Sequence, residues 1–243
     1  MTAKPKLLPP AKAFLGLPKK DSVSYKDAKA VIIPFGLETS VSYSGGTAKG
    51  PQAMLNASHQ VELFDDQLWK EPFRDIGIVT MEEPKIARPL TKALDQLESL
   101  VRGVLKDGKF PFVFGGEHSI TPGAIRPFAE KYKDLVVLQF DAHADLRDGY
   151  DGEHYSHAAA MCRVLDHKNV SLVSVGIRNI SASEIPVLEK NKKRIHIHWA
   201  RDMKNWKIAD IIKPLKGKNV YLTFDIDGFD ASMIPATGTP EPG

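Results

Sequence analysis

The stretch Leu135-Val136-Val137-Leu138-Gln139-Phe140-Asp141-Ala142-His143-Ala144-Asp145 joins a short apolar run to three polar side chains. The apolar part is rich in β-branched residues and nearly continuous, which predicts a strand buried on both faces of a parallel sheet. If the chain stays extended beyond it, Asp141, His143 and Asp145 point to one side. Carboxylates that leave water are costly unless positive charge balances them. The stretch therefore predicts a cation at the carboxyl end of this strand.

Two other apolar runs end in residues of the same kind. Residues 110–114 are followed by Gly115-Gly116-Glu117-His118, and residues 220–224 are followed by Asp225-Ile226-Asp227. Ligand sites in open parallel α/β sheets form beyond the carboxyl ends of the strands. We therefore expect His118, Asp225 and Asp227 to lie beside the three side chains of the first stretch.

Strand-like and helix-like stretches alternate along the rest of the chain. Further strands are predicted at residues 30–35, 76–79, 170–177 and 195–197, and helices at residues 51–60, 86–106, 121–132, 157–165, 183–190 and 206–215. This order predicts an α/β fold, a three-layer αβα sandwich with a mostly parallel sheet. The sequence contains no repeat and no convincing linker, so we expect one domain over residues 1–243. Residues 1–25, rich in Lys and Pro, are expected to form an extended arm on the body or on a neighbouring subunit.

Composition narrows the class of protein. A hydrophobic content of 42% and a charged content of 26% are ordinary for a soluble globular protein. The net charge of +3 is small and no basic run is dense, so we expect no nucleic-acid partner. No apolar stretch approaches the ~20 residues that a membrane span needs, and the N-terminus lacks the apolar segment of a signal peptide. Cys162 is the only cysteine, which excludes a disulfide within the chain and favours a cytoplasmic setting.

Six residues make up the expected metal site: His118, Asp141, His143, Asp145, Asp225 and Asp227. Four carboxylates in one crevice would repel each other, and two divalent cations would balance their charge. Oxygen-rich ligation with two imidazoles and no thiolate favours Mn²⁺ over a zinc site of the thiolate type. Two metals close together can activate one water molecule. Each pattern alone is weak evidence, so the prediction depends on their coincidence at three strand ends.

Read together, these residues resemble the ureohydrolases, the family of arginases and agmatinases. The matching segments are residues 115–119 (GGEHS), 141–147 (DAHADLR), 223–230 (TFDIDGFD) and 235–240 (PATGTP). The resemblance runs from about Val31 to the end of the chain. It implies an arginase-like fold, a binuclear manganese site and assembly into homo-oligomers, trimers or hexamers.

The resemblance also implies how the six residues divide between the two ions. By position, Asp141 and Asp225 would bridge the two Mn²⁺ ions. His118 and Asp145 would complete one site, and His143 and Asp227 the other.

The catalytic roles follow from the same resemblance. A hydroxide bridging the two ions would attack the guanidinium carbon, and Asp145 would orient it. A leaving amine needs a proton, so a titratable acid should stand nearby. His157 matches the proton-shuttle histidine of the family, with His154 as the second choice. His154 and Ser156 are the candidate substrate-binding residues.

The loops favour agmatine, with urea and putrescine as products. Residues 146–156 and 35–51 look like the agmatinase versions of the two loops. Acidic and aromatic side chains at the entrance of the site suit a cationic substrate that lacks a carboxylate. Other guanidino compounds are alternative substrates, and the enzyme would then be a guanidinobutyrase, another guanidino-acid hydrolase or an arginase. Two alternatives lie outside this activity. One is a deacetylase with one zinc ion, and the other is a non-catalytic, truncated paralogue that assembles with an active homologue.

The sequence stops at Gly243, whereas members of the family usually continue for several tens of residues. Those residues add a strand, closing helices and a glutamate that holds the substrate guanidinium. We therefore expect a partial sequence, a truncated gene or a partner that supplies the rest. We also expect exposed apolar surface at a sheet edge, and a chain that binds metal but hydrolyses agmatine poorly or not at all.

Overall fold

The computed structural model of the chain describes residues 5–243. Its strands are β1 (Ala30–Phe35), β2 (Ile78–Thr80), β3 (Phe110–Gly115), β4 (Leu135–Phe140), β5 (Val170–Ile177), β6 (Ile195–Trp199) and β7 (Asn219–Phe224). Its helices are α1 (Gly50–Ser58), α2 (Pro72–Ile76), α3 (Leu90–Lys106), α4 (Thr121–Lys131), α5 (Ala160–Val164), α6 (Ile185–Asn191) and α7 (Ile208–Ile212). No helix within residues 5–243 has both the length and the hydropathy that crossing a bilayer requires.

The chain divides into two compact units. The first unit contains the residues up to Glu38 and Gly46–Gly116, and the second contains Thr39–Gly45 and Glu117–Gly243. The first unit is built on a three-stranded parallel sheet in the order β2-β1-β3. Ile32 of β1 packs with Leu55 of α1, and α3 contacts β1 and β3. The buried face of α3 has the helical spacing seen in the sequence: Leu90, Ala93, Leu94, Leu97, Val101 and Val104.

The second unit is built on a four-stranded parallel sheet in the order β6-β5-β4-β7. Alternate residues of β4 face opposite sides of this sheet. Val137 packs in one apolar cluster with Ile125 of α4, and Val136 packs in another with Ile211 of α7. Helices therefore cover both faces, which produces the three layers and leaves the carboxyl ends of the strands free to present polar residues.

The predicted α/β class with parallel strands and helices is confirmed. The apolar pattern also predicted β1, β4 and β5 with the bounds that the structure has. The strands pair in two separate sheets, which periodicity along the chain does not reveal because pairing depends on contacts between distant residues. The single domain expected over residues 1–243 stays a prediction.

The N-terminal segment packs against the first unit, to which it belongs. It forms short 3₁₀ turns at Pro10–Lys12, Phe14–Gly16 and Lys19–Asp21. The Leu8 N–H donates to the Thr80 carbonyl at 2.9 Å, and Ala13 and Leu17 are buried. Residues 1–4 of the predicted arm lie outside the described residues.

Strand β7 carries an exposed apolar face in the second unit. It pairs with β4 on one side, at the edge of the four-stranded sheet. Val220, Leu222 and Phe224 share one face of the strand and are 46%, 55% and 50% exposed. Thr223, on the other face, is buried. The strand that presents Asp225 therefore lies with one apolar face in solvent.

Candidate metal centre

Three loops of the second unit carry the six predicted ligands. His118 opens a short 3₁₀ turn, His118–Ile120, that leads into α4. Asp141, His143 and Asp145 follow β4, and Asp225 and Asp227 follow β7. Because β4 and β7 are parallel neighbours in register, with Phe140 opposite Phe224, their two loops leave the sheet side by side. The carboxyl ends of β4 and β7 therefore lie next to each other, which is the arrangement that the sequence predicts.

The first group of side chains surrounds His118. Its Nδ1 lies 2.7 Å from Asp145 Oδ2, 3.2 Å from Asp141 Oδ2 and 3.7 Å from Asp225 Oδ2. His118, Asp141 and Asp145 present ligand atoms that lie within 4.8 Å of one another. Such a group has the size and donor set to hold one cation.

The second group uses the other oxygen of Asp141. His143 Nδ1 lies 3.1 Å from Asp227 Oδ2 and 3.7 Å from Asp141 Oδ1. The ligand atoms of Asp141, His143 and Asp227 also lie within 4.8 Å of one another. Asp141 thus faces one group with each carboxylate oxygen, as a bridging carboxylate would.

Buried hydrogen bonds fix the orientation of Asp141. The Gln139 side-chain amide donates to Asp141 Oδ2 at 3.0 Å, and the His143 N–H donates to Asp141 Oδ1 at 2.7 Å. Gln139 is itself held by the Ser174 hydroxyl, which donates to Gln139 Oε1 at 2.7 Å. Since Gln139, Asp141 and Ser174 are buried, the carboxylate has little freedom to turn. It is already placed to bind cations on both sides.

His118 gives the clearest sign that a cation belongs here. Its Nε2 lies 3.1 Å from the Thr223 hydroxyl. Its Nδ1 is buried and makes no hydrogen bond within the described residues 5–243, although carboxylate oxygens surround it. A nitrogen lone pair that faces carboxylates is repelled unless a proton or a metal ion lies between them. The residues present therefore fit a metal ion.

The pKa values describe the same surplus of negative charge. Burial, together with the charges of Asp141 and Asp227, raises the pKa of Asp225 to about 8. Burial lowers the pKa of His143, but its contacts with Asp141 and Asp227 outweigh this effect and raise it to about 11. Burial likewise opposes the charged form of His118, yet Asp141 and Asp145 hold its pKa well above the ordinary value. Without metal, protons take the positions where cations would bind.

His157 lies in the second unit at the start of the 3₁₀ turn His157–Ala159, which leads into α5. Its Nδ1 lies 3.2 Å from Ser40 Oγ and 3.4 Å from Ser156 Oγ, and its Nε2 lies 3.4 Å from Ser42 Oγ. His157 is partly exposed, whereas Ser156 is fully buried. The three hydroxyl groups orient the His157 imidazole, and the side chain stays partly accessible to solvent.

His154, the second choice for proton transfer, has a different environment. Its ring is exposed and contacts the guanidinium of Arg163 and the ring of Tyr155. Arg163 also pairs with Asp148. Through Arg163, these contacts tie the loop after β4 to α5. The substrate-binding roles of His154 and Ser156 stay predictions.

Sequence reasoning missed three supporting residues. Gln139 looked like an ordinary residue of an apolar strand, and Glu117 was recognised within a motif without a role. Arg178, just after β5, donates to the carbonyls of Asp227 and Phe229 at 2.8 and 3.1 Å and so holds the turn that carries a predicted ligand. A polar residue inside or next to an apolar strand was the available signal in each case.

Comparison with known proteins places the chain in a family. The arginase family profile matches residues 28–243. The N(1)-aminopropylagmatine ureohydrolase of Synechocystis sp. is 37% identical over 233 residues, which cover 90% of this chain and 74% of that protein. The agmatinase of Bacillus anthracis is 30% identical over 236 residues, which cover 92% of this chain and 76% of that protein.

A solved structure agrees with these sequence matches. The agmatine ureohydrolase of Thermoplasma volcanium superposes with a TM-score of 0.81 at 30% identity, and the match covers 95% of this chain and 76% of that one. The arginase-like fold is therefore confirmed, as is the prediction that the chain belongs with hydrolases acting on amidino groups. This chain is a member of the arginase family of ureohydrolases.

Proposed function

We propose that this protein hydrolyses the guanidino group of a cationic, agmatine-type amine and releases urea. The observation that carries this proposal is the pair of ligand groups that share Asp141. A single buried carboxylate that faces two separate imidazole–carboxylate groups suits two cations rather than one. Similarity to urea-releasing relatives supports the same reaction.

The cofactor that we propose is a pair of Mn²⁺ ions. Asp141 and Asp225 would bridge them, His118 and Asp145 would complete one site, and His143 and Asp227 the other. Carboxylate oxygens outnumber imidazoles in this set, and the chain offers no thiolate there, which favours Mn²⁺ over a thiolate-type zinc site. When bound, two divalent cations would lower the pKa of a water molecule enough for it to act as a nucleophile at neutral pH.

The chain's own residues would orient the reactants and move protons. The water oxygen forms a bond to the guanidinium carbon, the bond from that carbon to the alkyl nitrogen breaks, and the two protons that the water loses pass to the alkyl nitrogen, which leaves as an ammonium group while neutral urea is formed. Asp145 would orient the attacking water through its carboxylate. His157 would give the proton to the leaving amine, because it is a partly exposed imidazole fixed by hydroxyl groups.

The charge of the loop after β4 supports a cationic substrate. A cavity of about 390 Å³ is lined there by Asp148, Tyr150, Asp151, Glu153 and neighbouring residues. Acidic and aromatic side chains favour a substrate with several positive charges and no carboxylate. Agmatine fits this description, and so does N(1)-aminopropylagmatine, which carries one more ammonium group.

A comparison of relatives favours the larger substrate. Identity to the Synechocystis N(1)-aminopropylagmatine ureohydrolase is 37%, against 30% to the Bacillus anthracis agmatinase. We therefore propose N(1)-aminopropylagmatine as the preferred substrate, with urea and a triamine as products. Agmatine, with putrescine as the product amine, is the second candidate.

Urea release from the Mn²⁺-loaded protein tests the proposal. The substrates to compare are N(1)-aminopropylagmatine, agmatine, arginine and 4-guanidinobutyrate. We expect the two cationic amines to give the highest kcat/KM, with the aminopropyl compound ahead. Arginine or 4-guanidinobutyrate as the best substrate would contradict the reading of the acidic loop, and no urea from any of them would contradict the function.

Metal content tests the cofactor separately. We expect two Mn²⁺ ions per chain by elemental analysis after equilibrium dialysis. One tightly held zinc ion per chain would favour a deacetylase-type site instead. Trimeric or hexameric assembly and a cytoplasmic location stay predictions, which size-exclusion chromatography with light scattering and cell fractionation would check.

A further inference from the structure

Glu117, the residue before His118, is a buried carboxylate with five hydrogen-bond donors around it. Only 5% of the residue is exposed. Its Oε2 accepts the backbone N–H groups of Thr39 and Ser40, both at 2.8 Å. Its Oε1 accepts the hydroxyls of Thr39, Ser40 and Ser119 at 3.1, 2.8 and 2.5 Å. The carboxylate therefore fixes both the position of residues 39–40 and the direction of the Ser40 hydroxyl proton.

Ser40 connects this carboxylate to His157. Its Oγ donates to Glu117 Oε1, accepts the backbone N–H of His157 at 3.0 Å and lies 3.2 Å from His157 Nδ1. A hydroxyl has one proton and two lone pairs. Because the proton is directed to the carboxylate, Ser40 can only accept from Nδ1. The neutral imidazole must then carry its proton on Nδ1.

Two other hydroxyls face the same ring. Ser42 Oγ lies 3.4 Å from Nε2, and Ser156 Oγ lies 3.4 Å from Nδ1. Within residues 5–243 neither hydroxyl donates a hydrogen bond to Glu117, so either can donate to the ring or accept from it. Both distances also exceed the 3.2 Å of the Ser40 contact. Ser40 is thus the partner that decides which nitrogen is protonated.

We propose that Glu117 and Ser40 are positioning residues that hold the Nδ1–H tautomer of His157 and leave Nε2 as the nitrogen that gains and loses the transferred proton. The proposal rests on the proposed function of His157 as the proton donor. In the charged imidazole both nitrogens carry protons, and Ser40 accepts from Nδ1 in that state as well. Nε2 can then give its proton to the leaving amine without any change at Nδ1. In a catalytic triad, a carboxylate likewise holds the histidine in the tautomer that leaves Nε2 free to transfer a proton.

The pair also couples two parts of the site. Glu117 is joined to His118 by one peptide bond, so the turn that presents a predicted metal ligand also sets the tautomer of the predicted proton donor. Residues 39–40 have no metal-type side chain, and they contact the site through the Glu117 carboxylate and through the Ser40 hydroxyl at His157. The glutamate of the Gly115-Gly116-Glu117-His118 segment thereby acquires a role of its own.

Nitrogen-15 NMR of histidine-labelled protein measures the tautomer directly, whether or not the protein turns over substrate. The spectra would be recorded with diamagnetic Zn²⁺ in place of Mn²⁺ and again without metal, and a His157→Asn variant identifies the resonance by its loss. We expect Nδ1 protonated and Nε2 unprotonated in the neutral ring. An Nε2–H tautomer in the unsubstituted protein would overturn the proposal.

Two substitutions should change the tautomer. Ser40→Ala removes the acceptor, so the ring should lose its strong preference for Nδ1–H. Glu117→Gln should reverse the preference, because the two backbone N–H groups hold the amide oxygen and its NH₂ then donates to Ser40, which turns the hydroxyl proton toward Nδ1. Thr39→Val is the matched control, since the Thr39 hydroxyl donates to Glu117 and is not among the described hydrogen-bond partners of His157. An unchanged tautomer in folded Ser40→Ala would refute the proposal even if Glu117→Gln fails to fold.

Measurements of kcat, KM and metal content distinguish a positioning role of Ser40 from a purely structural one. For Ser40→Ala we expect kcat to fall roughly 10²-fold, as for loss of an oriented general acid, with KM and metal content within about twofold of the unsubstituted protein. A fall in metal content with the tautomer unchanged would mean a structural role and overturn the proposal. If the unsubstituted protein releases no urea but shows the Nδ1–H tautomer, the proposed function fails while the assignment of the hydrogen-bond network stands.

Discussion

Asp141 is the residue on which both ligand groups depend. Its two oxygens face different imidazoles, Oδ2 toward His118 and Oδ1 toward His143. Burial raises the pKa of Asp141, but the contacts with these two histidines outweigh this effect and lower it below the ordinary value. The carboxylate therefore stays charged, and its neutralisation should remove the attraction for a cation on both sides at once.

The substitution Asp141→Asn tests this dependence. We expect both metal sites to weaken more than about 100-fold, because even the loss of an outer hydrogen-bond partner costs metal sites 10–100-fold in affinity. Isothermal titration with Mn²⁺ measures the change. Asp202→Asn is the control, since that carboxylate is 57% exposed and pairs only with the neighbouring Arg201 among its described ion pairs. Retention of one full-affinity site in Asp141→Asn would show that the two groups do not share this residue.

The types of the ligand residues could be predicted from sequence because they sit next to strongly apolar runs. Asp141, His143 and Asp145 follow β4 directly, so burial and polarity are both visible within one short stretch. Gln139 could not be assigned a role, because its partner Ser174 lies 35 residues further along the chain. The link from Glu117 to Ser40 spans 77 residues and is invisible for the same reason. Local pattern indicates which residues are unusual, and the fold decides what they contact.

At the scale of elements, the parallel strands bring the ligands together and Arg178 holds the loops in place. Its guanidinium donates to the carbonyls of Asp227 at 2.8 Å, Phe229 at 3.1 Å and Glu241 at 2.8 Å. It also reaches the carbonyls of Gly176 and Gly228. One side chain after β5 therefore ties the loop after β7 to the end of β5, although β4 lies between these two strands. An ammonium group could not match this spread of acceptors, because its donors leave from one atom.

Arg178→Lys should weaken the site while keeping its charge. We expect the free energy of unfolding to fall by roughly 3 kcal/mol through lost charged hydrogen bonds, and Mn²⁺ affinity to fall 10–100-fold as the turn carrying Asp227 loosens. Chemical denaturation and metal titration measure the two effects. Arg201→Lys, at a side chain that is 73% exposed, should change neither. An Arg178→Lys protein with unaltered affinity would exclude this arginine from the support of the metal site.

The sequence predicts the bounds of some strands and helices and gives no signal for others. β4 and β5 are buried on both faces and therefore have largely apolar sequences, so their bounds could be predicted residue by residue. The short helix α2, Pro72–Ile76, gave no such signal because five residues cannot show a helical period. The division into two sheets could not be read either, since no local pattern tells which strand lies next to which.

The exposed face of β7 predicts self-association. Val220, Leu222 and Phe224 form an apolar row on an edge strand, and such edges pair or stack with other chains unless charge prevents it. Leu222→Lys places a charge in the middle of the row and should weaken association at least about tenfold, since a buried Leu contributes about 1.5–3 kcal/mol. Sedimentation at several protein concentrations measures it. Asn219→Lys adds the same charge at the exposed start of the strand and should leave association unaltered; equal effects of both would point to net charge instead.

On the scale of the whole molecule, the ligand cluster sets how stability depends on pH. In the metal-free protein the pKa of Asp225 rises from 3.8 to about 8 and that of His143 from 6.5 to about 11. Both groups thus bind a proton more tightly in the folded than in the unfolded chain. Stability falls with pH wherever the folded state binds more protons. The Asp225 contribution is lost between about pH 4 and 8, and the His143 contribution between about pH 6.5 and 11.

The two intervals overlap between pH 6.5 and 8, where each group can lower stability by up to about 1.4 kcal/mol per pH unit. The melting temperature of the metal-free protein should therefore fall over this range. Metal ions compete with the same protons, so the rise in melting temperature caused by Mn²⁺ should grow with pH. Asp225→Asn removes one titrating group and should flatten the metal-free curve. A metal-free melting temperature that rises from pH 6.5 to 8 would mean that these side chains do not hold the protons that metal ions must displace.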